Sequence, residues 1–453
     1  MATERTFSRE ALAADYRRIR GATLALCETL TTEDYVVQSM PDASPTKWHL
    51  AHTTWFFETF VLTVAQPSYA VFHPEFAVLY NSYYQAVGPQ FPRARRGMLS
   101  RPTVREVREY RAHVDGAVER LFREASEAAF HEVAARVELG LHHEEQHQEL
   151  IVTDLKHMLA QNPLDPVFRP RPREATRSAT PAAAGQRSQG VRPGQEEAFG
   201  PRIEAGVIET GTHGEGFFFD NEGPRHRSWV EAYRLGRRLV TAGEYLEFIE
   251  DGGYSRPDLW LSDGFAAVRA EGWQAPLYWR RDDGGWSMFT LSGRRPVDPE
   301  EPVCHVSYYE ADAFARWAGA RLPREEEWEH VAERAPTTGN FVEQGLFHPA
   351  PANGHPAPAG GQRPAASPPA RDSHPHEQLF GDVWEWTASA YLGYPGFEPL
   401  PGAIGEYNGK FMSGQMVLRG GSVATPARHI RATYRNFFPP SARWQFSGIR
   451  LAR

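Results

Sequence analysis

Residues 169–200 divide this chain of 453 residues into two parts with different sequence patterns. The run is rich in proline, alanine, arginine and glycine and has almost no large apolar side chains, which is typical of a linker. A chain of this length also exceeds what one hydrophobic core usually organises. We therefore predict two domains, residues 1–168 and 201–453, and interpret a similar stretch near residues 354–376 as a disordered insertion in the second.

Apolar residues in the first part recur every three or four positions, which is the period of amphipathic helices. The pattern predicts four helices, within residues 12–30, 48–62, 107–121 and 129–159. Helices of this number and length indicate a four-helix bundle, whose core is a common place for metal sites. The connection between the second and third helices, residues 71–103, is unusually long, and such connections often carry function.

The second part differs because ten of the twelve tryptophans and most of the glycines lie there. The stretch "SYYEADAFARWAG" predicts a helix, since Ser307 and Glu310 stand at the spacing of a capping box. The stretch "PREEEWEHVA" predicts another helix, which starts at Pro323 with an acidic first turn. The remaining segments favour short strands and ordered loops around an aromatic core, so we expect an α+β multidomain protein.

Charge and hydropathy exclude several classes of protein. The net charge of −8 and the lack of a basic face argue against a nucleic-acid partner. The apolar runs are too short to span a bilayer, and the N-terminus lacks the apolar core of a signal peptide. Cys27 and Cys304 are too far apart in sequence to indicate a disulfide framework. We therefore expect a cytoplasmic protein without a membrane partner; the sequence leaves the oligomeric state unknown.

The stretch "LHHEEQHQEL" places His143 and His147 four residues apart, on one face of a helix. Two imidazoles at this spacing can bind one metal ion, although such pairs are also frequent on exposed helices. His49 or His52 in "KWHLAH" could supply a third ligand. Spacing leaves open which of these two histidines binds, whether a carboxylate such as Asp154 takes part, and whether the metal is iron or zinc.

Six motifs resemble a known family. "WHLAHTTWFFE", "YNSYYQAVGPQFPRARRGMLSRPT" and "HHEEQHQEL" resemble the DinB-like four-helix domain of the sulfoxide synthases of ergothioneine biosynthesis. "GDVWEWTAS", "LRGGS" and "RATYRNFFPPSARWQFSGIRLAR" resemble their C-terminal domain, which is related to formylglycine-generating enzymes (sulfatase-modifying factors) and has a C-type-lectin-like fold. The resemblance extends over nearly the whole chain except the linker and the insertion.

This resemblance implies a mononuclear Fe(II) enzyme that uses O2. It joins the sulfur of a cysteine-containing thiol to C2 of the imidazole of hercynine (N-alpha-trimethylhistidine), giving a sulfoxide. The family's iron ligands correspond here to His52, His143 and His147, so the resemblance selects His52 over His49. Iron can bind both thiolate and O2, whereas zinc cannot change its redox state.

The resemblance also implies roles for residues of the long connection. One tyrosine of the pair Tyr83 and Tyr84 would supply a proton at the iron–oxygen site, and we favour Tyr84. A phenol suits this role because it stays protonated near neutral pH. Arg93 and Arg96 would bind the carboxylate of the thiol substrate, which a guanidinium can do through two hydrogen bonds.

Hercynine carries a trimethylammonium group, which has no N–H to donate and favours aromatic faces. The family's substrate loop corresponds to "RNFFPPSARWQF", and Gln146 matches a family residue that contacts hercynine. The resemblance therefore predicts a hercynine-binding set of Gln146, Asn436, Phe437, Phe438, Trp444 and Phe446.

Two departures from the family patterns carry information. Members that use gamma-glutamylcysteine have Trp and Asp where this chain has Phe437 and Phe438, so we expect free cysteine as the thiol. Formylglycine-generating enzymes use a cysteine pair near the C-terminus, but "LRGGSVATP" has Val423 and no cysteine, which argues against that activity. The alternatives are an ovothiol-type synthase that joins cysteine to histidine, a zinc-dependent DinB-like thiol S-transferase, and a non-enzymatic lectin-like binding module.

Overall fold

The computed structural model describes residues 6–170, 195–352 and 374–453. The chain forms two compact units. The first consists of Met1–Pro163 and Leu400–Tyr407, and the second consists of Leu164–Pro399 and Asn408–Arg453. The first unit therefore includes a short segment that lies far along the chain from the rest of it.

Most of the predicted linker and of the predicted insertion, residues 171–194 and 353–373, lies outside the described residues. At one edge of the linker, the amide of Arg169 donates to the carbonyl of Leu291 at 3.0 Å. At the other edge, the amide of Gly200 donates to the carbonyl of Leu235 at 2.7 Å. Both edges belong to the second unit, and the boundary between the units lies at Pro163.

The first unit contains the four predicted helices. In the described residues they are Arg9–Leu26, Thr46–Phe57, Val104–Glu124 and Glu127–Ala160. Ser8, Thr103 and Ser126 cap three of them, each through a side-chain oxygen that accepts an amide of the first turn. Across the described residues, no helix combines the length and apolarity needed to cross a membrane.

The second helix is buried on all sides, and every residue of Thr46–Phe57 lies in the interior. It packs against the third and fourth helices and continues into a π-helical turn, Glu58–Leu62, and a short turn, Thr63–Ala65. Turns of the π type are frequent at functional sites. Because this helix has no solvent face, its polar side chains must find partners in the core.

The long connection after the second helix is fixed by one buried side chain. Asn81 is fully buried, and its Oδ1 accepts the amide of Tyr84 at 2.9 Å. Its Nδ2 donates to the carbonyls of Tyr84 and Gly88 at 3.0 and 3.1 Å. The connection also contains two short helical segments, Phe76–Leu79 and Arg93–Met98. The "NSYY" stretch is therefore held in one conformation by its own asparagine.

The second unit combines short helices with short strands, as expected for an α+β protein. Its helices of eight or more residues, among those described, are Ala242–Glu250, Ser262–Glu271, Tyr308–Trp317 and Glu325–Ala332. Its strands are β1 (Gly206–Thr210), β2 (His226–Val230), β3 (Trp279–Asp282), β4 (Gly285–Thr290), β5 (Gly293–Pro296), β6 (Gly339–Asn340), β7 (Phe380–Gly381), β8 (Trp384–Ala390), β9 (Met416–Arg419), β10 (Asn436–Phe438) and β11 (Ser447–Gly448).

The largest sheet of the described residues has the strand order β10-β9-β8-β11, with β11 parallel to β8 and the other pairs antiparallel. Strands β3, β4 and β5 form an antiparallel meander, and β1 pairs with β2. The first two helices of this unit were not predicted from the sequence, although Thr241 and Glu244 form a capping box at the start of Ala242–Glu250.

The two predicted helices of this unit are present. Ser307 caps Tyr308–Trp317 with the predicted capping box. The other helix begins at Glu325 rather than at Pro323, so that prediction was wrong by two residues. The carbonyl of Pro323 accepts the amide of Ala388 at 2.7 Å, which ties this residue to a neighbouring segment instead of to the helix.

Buried ion pairs join the elements of the second unit. Glu325 pairs with Arg419 and Arg435 at 2.8 Å each, and Glu385 of "GDVWEWTAS" pairs with Arg450 at 2.8 Å. All five side chains are at least nine-tenths buried. The conspicuous C-terminal motifs thus supply a paired polar framework, which keeps each buried charge beside an opposite one.

Candidate metal centre

Three histidines converge in the first unit. The second helix supplies His52, and the fourth helix supplies His143 and His147, which lie one turn apart on one face. All three are buried, and one ring nitrogen of each lies within 4.8 Å of those of the other two. The Nε2 atoms of His52 and His143 are 3.1 Å apart. This is the geometry of three ligands that face a common point.

The environment of His52 fixes its tautomer. Its Nδ1 lies 2.6 Å from the carbonyl oxygen of Tyr80, which can only accept, so Nδ1 carries the proton. Its ring also stacks on Trp48 at a centroid distance of 4.6 Å. The bare Nε2 therefore points toward the other two histidines, ready to bind a metal.

Burial keeps all three imidazoles neutral near pH 7. Desolvation lowers the pKa of His143 to about 3. It lowers the pKa values of His52 and His147 well below the usual range, with the neighbouring His143 as the next cause. A metal binds the neutral form of histidine, so protons do not compete for this site at neutral pH. Three neutral imidazoles fit a divalent first-row metal.

A buried charge cluster fixes the fourth helix beside these ligands. Glu144 is fully buried and accepts hydrogen bonds from Arg20 at 2.9 Å, from Thr23 at 2.6 Å, and from Arg111. Despite its burial, the two arginines lower the pKa of Glu144 to about 2. These bonds connect the fourth helix with the first and third and fix its rotation, and the adjacent His143 lies with its Nε2 3.1 Å from that of His52.

His49, which spacing had left as an alternative ligand, is not one of the converging three. Its Nδ1 lies 2.8 Å from Nδ1 of His147, and its Nε2 lies 3.1 Å from Oδ2 of Asp154. Asp154, the carboxylate considered from the sequence, thus meets His49 and not the converging nitrogens.

The two tyrosines of "NSYY" stack on one another at a centroid distance of 4.6 Å, with their hydroxyls 3.5 Å apart. Tyr84 is fully buried and contacts the rings of Trp55 and Phe60. Burial raises the pKa of Tyr84 well above its ordinary value, and nearby Tyr83 raises it further. Tyr83 is only half-buried. Tyr84 is therefore a protonated phenol in the interior, in contact with a more accessible one.

A third tyrosine lies at this site that the sequence analysis missed. Tyr407 belongs to the segment Leu400–Tyr407 of the first unit. Its ring lies 5.6 Å from His143 and 6.3 Å from Tyr83, and its hydroxyl donates to Oε1 of Gln146. No local pattern distinguishes Tyr407, because the stretch "PGAIGEYNGKF" has no periodicity and the contacts span more than half the chain.

The residue before it, Glu406, holds the loop that follows the tyrosine pair. Its two carboxylate oxygens accept the amides of Gln85 and Ala86 at 3.0 and 2.8 Å. A carboxylate that accepts two consecutive backbone amides fixes the direction of that backbone. The segment thus contributes both a ring beside His143 and an anchor for the "NSYY" loop.

The two predicted substrate-binding arginines have different surroundings. Arg96 is buried, and its guanidinium lies 3.3 Å from the centre of the Trp48 ring, whose stacking partner is His52. Its Nη1 donates to Oγ of Ser44 at 3.0 Å, but its Nε has no hydrogen-bond partner among the described residues. Arg93 is exposed and donates to the carbonyl of Asp42. Of these two arginines, Arg96 is the buried one, and none of its hydrogen bonds in the described structure goes to a carboxylate.

The predicted hercynine-binding residues other than Gln146 belong to the second unit. Strand β10 carries Asn436, Phe437 and Phe438. The ring of Phe437 stacks on Tyr391 at 4.0 Å, and Phe438 meets Trp444 edge-on at 5.6 Å.

The remaining two members of this set have other contacts. Asn436 accepts the amide of Phe437 through its side chain at 2.9 Å. Phe446 is fully buried and contacts His305. The aromatic residues of this loop therefore form separate contacts rather than one cluster.

Comparison with known proteins gives the following similarities. Residues 15–151 match the DinB superfamily, and residues 193–453 match the sulfatase-modifying factor enzyme 1-like domain. The chain is 34% identical over 452 residues to the hercynine oxygenase of Mycobacterium tuberculosis, covering 98% of this chain and 99% of the relative. It is 33% identical to that of Mycolicibacterium smegmatis, with the same coverage of both chains. It is 34% identical to that of Mycolicibacterium thermoresistibile, covering 91% and 88%.

Proposed function

Because the chain belongs to the hercynine oxygenase family and is an oxygenase-type enzyme, we propose that it joins the sulfur of cysteine to C2 of the hercynine imidazole. The thiol S–H and the imidazole C–H are lost and a C–S bond forms. One oxygen atom of O2 becomes the sulfoxide oxygen and the other leaves as water, so the four electrons balance. The convergence of three buried, neutral imidazoles carries this proposal.

We assign His52, His143 and His147 as the ligands of Fe(II). The donor set fits, since neutral imidazoles bind divalent iron and three of them leave coordination positions open. Iron, when bound, would supply the redox chemistry toward O2 and the thiol that zinc does not provide. The buried second helix and the stacked Trp48 ring would keep the histidines oriented and exclude water from behind them.

Arg96 is assigned to the carboxylate of cysteine. A buried guanidinium without a carboxylate partner is costly, and an anionic substrate would compensate the charge. Its position over Trp48, which stacks on His52, would place that carboxylate near the metal ligands. Arg93 would add a second cation for the same carboxylate from the exposed side of the connection.

Tyr84 is assigned as the residue that holds a proton on its hydroxyl and supplies it during catalysis. Its raised pKa keeps this proton in place until the reaction removes it. The hydroxyl of Tyr83 lies 3.5 Å from that of Tyr84 and donates toward it, so Tyr83 would return the proton.

The family resemblance supports Gln146 and, separately, residues of the loop between Asn436 and Phe446 as candidate contacts of hercynine. The aromatic side chains of Phe437, Phe438 and Trp444 suit a trimethylammonium group, which has charge but no N–H. The apolar pair that follows Asn436 offers no carboxylate for a glutamyl amine, and this favours free cysteine over gamma-glutamylcysteine.

The proposal is tested by anaerobic reconstitution with Fe(II), followed by exposure to O2 with hercynine and either cysteine or gamma-glutamylcysteine. Products are identified by mass spectrometry. We expect hercynylcysteine sulfoxide with cysteine and little coupled product with gamma-glutamylcysteine. A preference for gamma-glutamylcysteine would overturn the thiol assignment while leaving the reaction class intact.

Two further assays separate the ovothiol-type synthase and the zinc-dependent S-transferase from the proposed enzyme. Coupling of cysteine to histidine, without coupling to hercynine, would indicate an ovothiol-type enzyme. The three-histidine site also suits zinc. A thiol S-transferase would be indicated if transfer of the thiol to an acceptor is restored by zinc and not by iron.

A further inference from the structure

We propose that His49 and Asp154 are positioning residues that fix the tautomer and the ring orientation of His147 toward a bound metal. This inference rests on the proposed metal centre and concerns residues behind it. Asp154 lies two helical turns after His147 on the fourth helix, and His49 lies on the second. All three side chains are buried, so water does not replace their contacts.

The hydrogen-bond directions follow from the terminal carboxylate. An ionised carboxylate only accepts, so the Nε2 of His49, 3.1 Å from Oδ2 of Asp154, carries the proton. A neutral imidazole has one N–H, so with the proton on Nε2 the Nδ1 of His49 is bare and can only accept. The contact of 2.8 Å between the two Nδ1 atoms then requires that His147 donates. With its proton on Nδ1, His147 presents a bare Nε2 to the metal.

The carboxylate at the end of this chain is itself anchored. Oδ2 of Asp154 accepts the backbone amide of Ser44 at 2.8 Å. The hydroxyl of the same serine accepts a hydrogen bond from Arg96 at 3.0 Å. The chain from Asp154 to His147 therefore begins at a fixed point, and small rotations of the His49 ring are resisted at both ends.

The three converging histidines differ in what lies behind them. His52 donates to a backbone carbonyl, and His147 donates to a histidine that is linked to a carboxylate. The Nδ1 of His143 is buried and has no hydrogen-bond partner in the described part of the chain. A carboxylate-linked partner raises the basicity of a histidine ligand. His147 is therefore the ligand whose metal affinity depends most on a neighbouring side chain.

The test compares the metal affinity of His49→Phe, His49→Gln and Asp154→Asn with that of the wild type. Phenylalanine keeps a ring but cannot accept the proton of His147, so Co(II) and Fe(II) should bind about 10- to 100-fold more weakly. Glutamine can accept from His147 and donate to Asp154, so it should restore most of the affinity. Affinity is measured anaerobically by competition with a chelator, and the Co(II) absorption spectrum reports ligand geometry.

His157→Phe is the matched control. It removes a histidine from the same helix whose Nδ1 bonds to Ser39 at 2.7 Å, and it should retain wild-type affinity. Thermal unfolding of the metal-free proteins tests whether each variant folds. Should His49→Phe fail to fold, the nearly isosteric Asp154→Asn still tests the roles of His49 and Asp154. We expect it to have a lower metal affinity and an altered Co(II) spectrum.

Each result has a defined meaning. Affinity of folded His49→Phe or Asp154→Asn within twofold of the wild type would overturn the inference. Equal losses for the phenylalanine and glutamine variants would also overturn it, because packing rather than hydrogen bonding would then explain the effect. If the wild type itself binds neither metal, the metal centre fails, and the inference fails with it.

Discussion

Arg450 in the second unit and Arg96 in the first are both almost fully buried, yet their surroundings are opposite. Arg450 makes two bonds to Glu385 at 2.8 and 2.9 Å, and its remaining donors meet backbone carbonyls. Arg96 meets a serine hydroxyl and the face of Trp48, and no carboxylate pairs with it among the described residues. A paired buried charge belongs to the fold, whereas an unpaired one indicates a ligand that completes the site.

Paired buried charges occur in both units. In the second unit, Glu325 and Glu385 each have an arginine partner. In the first, Glu144 is likewise paired with Arg20 and Arg111, whereas Arg96 bonds to Ser44 and not to a carboxylate. Substitutions at paired and unpaired buried charges should therefore have different effects.

The largest effect is expected for His147→Ala, which removes one of three ligands. We expect loss of iron binding and of all coupled product, because two imidazoles on different helices hold a metal far less tightly than three. Iron content after reconstitution measures this. Full iron occupancy in the variant would contradict the ligand assignment, and unchanged thermal unfolding would show that the loss is not a folding defect.

The next effect is on stability. Arg450→Met leaves Glu385 buried without its partner, and burial already raises the pKa of that carboxyl with the arginine present. We expect the free energy of unfolding to fall by about 3–5 kcal/mol. Arg256→Met, which breaks an exposed pair with Asp251, should cost less than about 1 kcal/mol. Equal losses of unfolding free energy for the two variants, measured by chemical denaturation, would contradict the distinction between buried and exposed ion pairs.

Arg96→Met should weaken substrate binding without lowering stability. The free energy of unfolding should be unchanged or higher, since an uncompensated buried charge is removed. The KM for cysteine should rise about 10- to 100-fold, because a charge-assisted hydrogen bond to the substrate contributes about 1.5–3 kcal/mol. Arg95→Met, at an exposed neighbour, is the control. A stability loss as large as that of Arg450→Met would mean that Arg96 is structural.

The smallest effect is a change of product rather than of rate. Tyr84→Phe removes the buried hydroxyl but keeps the ring contacts with Trp55 and Phe60. We expect product to shift from the sulfoxide toward cysteine sulfinate, measured by mass spectrometry. Tyr80→Phe, another buried tyrosine of the connection, should leave the product ratio unchanged. An unchanged ratio in Tyr84→Phe would remove this residue from the mechanism.

Local periodicity predicted the first and third helices of the bundle well, because each buries a stripe that repeats every three or four residues. The spacing of His143 and His147 likewise follows from one turn of helix. The choice between His49 and His52 could not follow from spacing, since both lie on a helix that is buried on all faces. Only the resemblance selected His52, and the structure places it with the other two.

The parts of the site that the sequence did not predict depend on contacts between distant segments. Tyr407 and Gln146 are 261 residues apart in the chain and share a hydrogen bond. Glu406 anchors a loop more than 300 residues away. No pattern within a helix or strand encodes such contacts. The burial of Arg96 was not predicted for the same reason, because its stacking on Trp48 joins the long connection to the second helix.

The membership of Leu400–Tyr407 in the first unit has a consequence for cutting the gene. A recombinant fragment that stops near residue 168 would retain all three converging histidines and every helix around them. It would nevertheless lack the acceptor for the amides of Gln85 and Ala86 and the hydroxyl that meets Gln146. Such a truncated protein would keep the metal ligands but would lose the contacts that hold the "NSYY" loop. Expression of the bundle alone is therefore a poor substitute for the intact polypeptide.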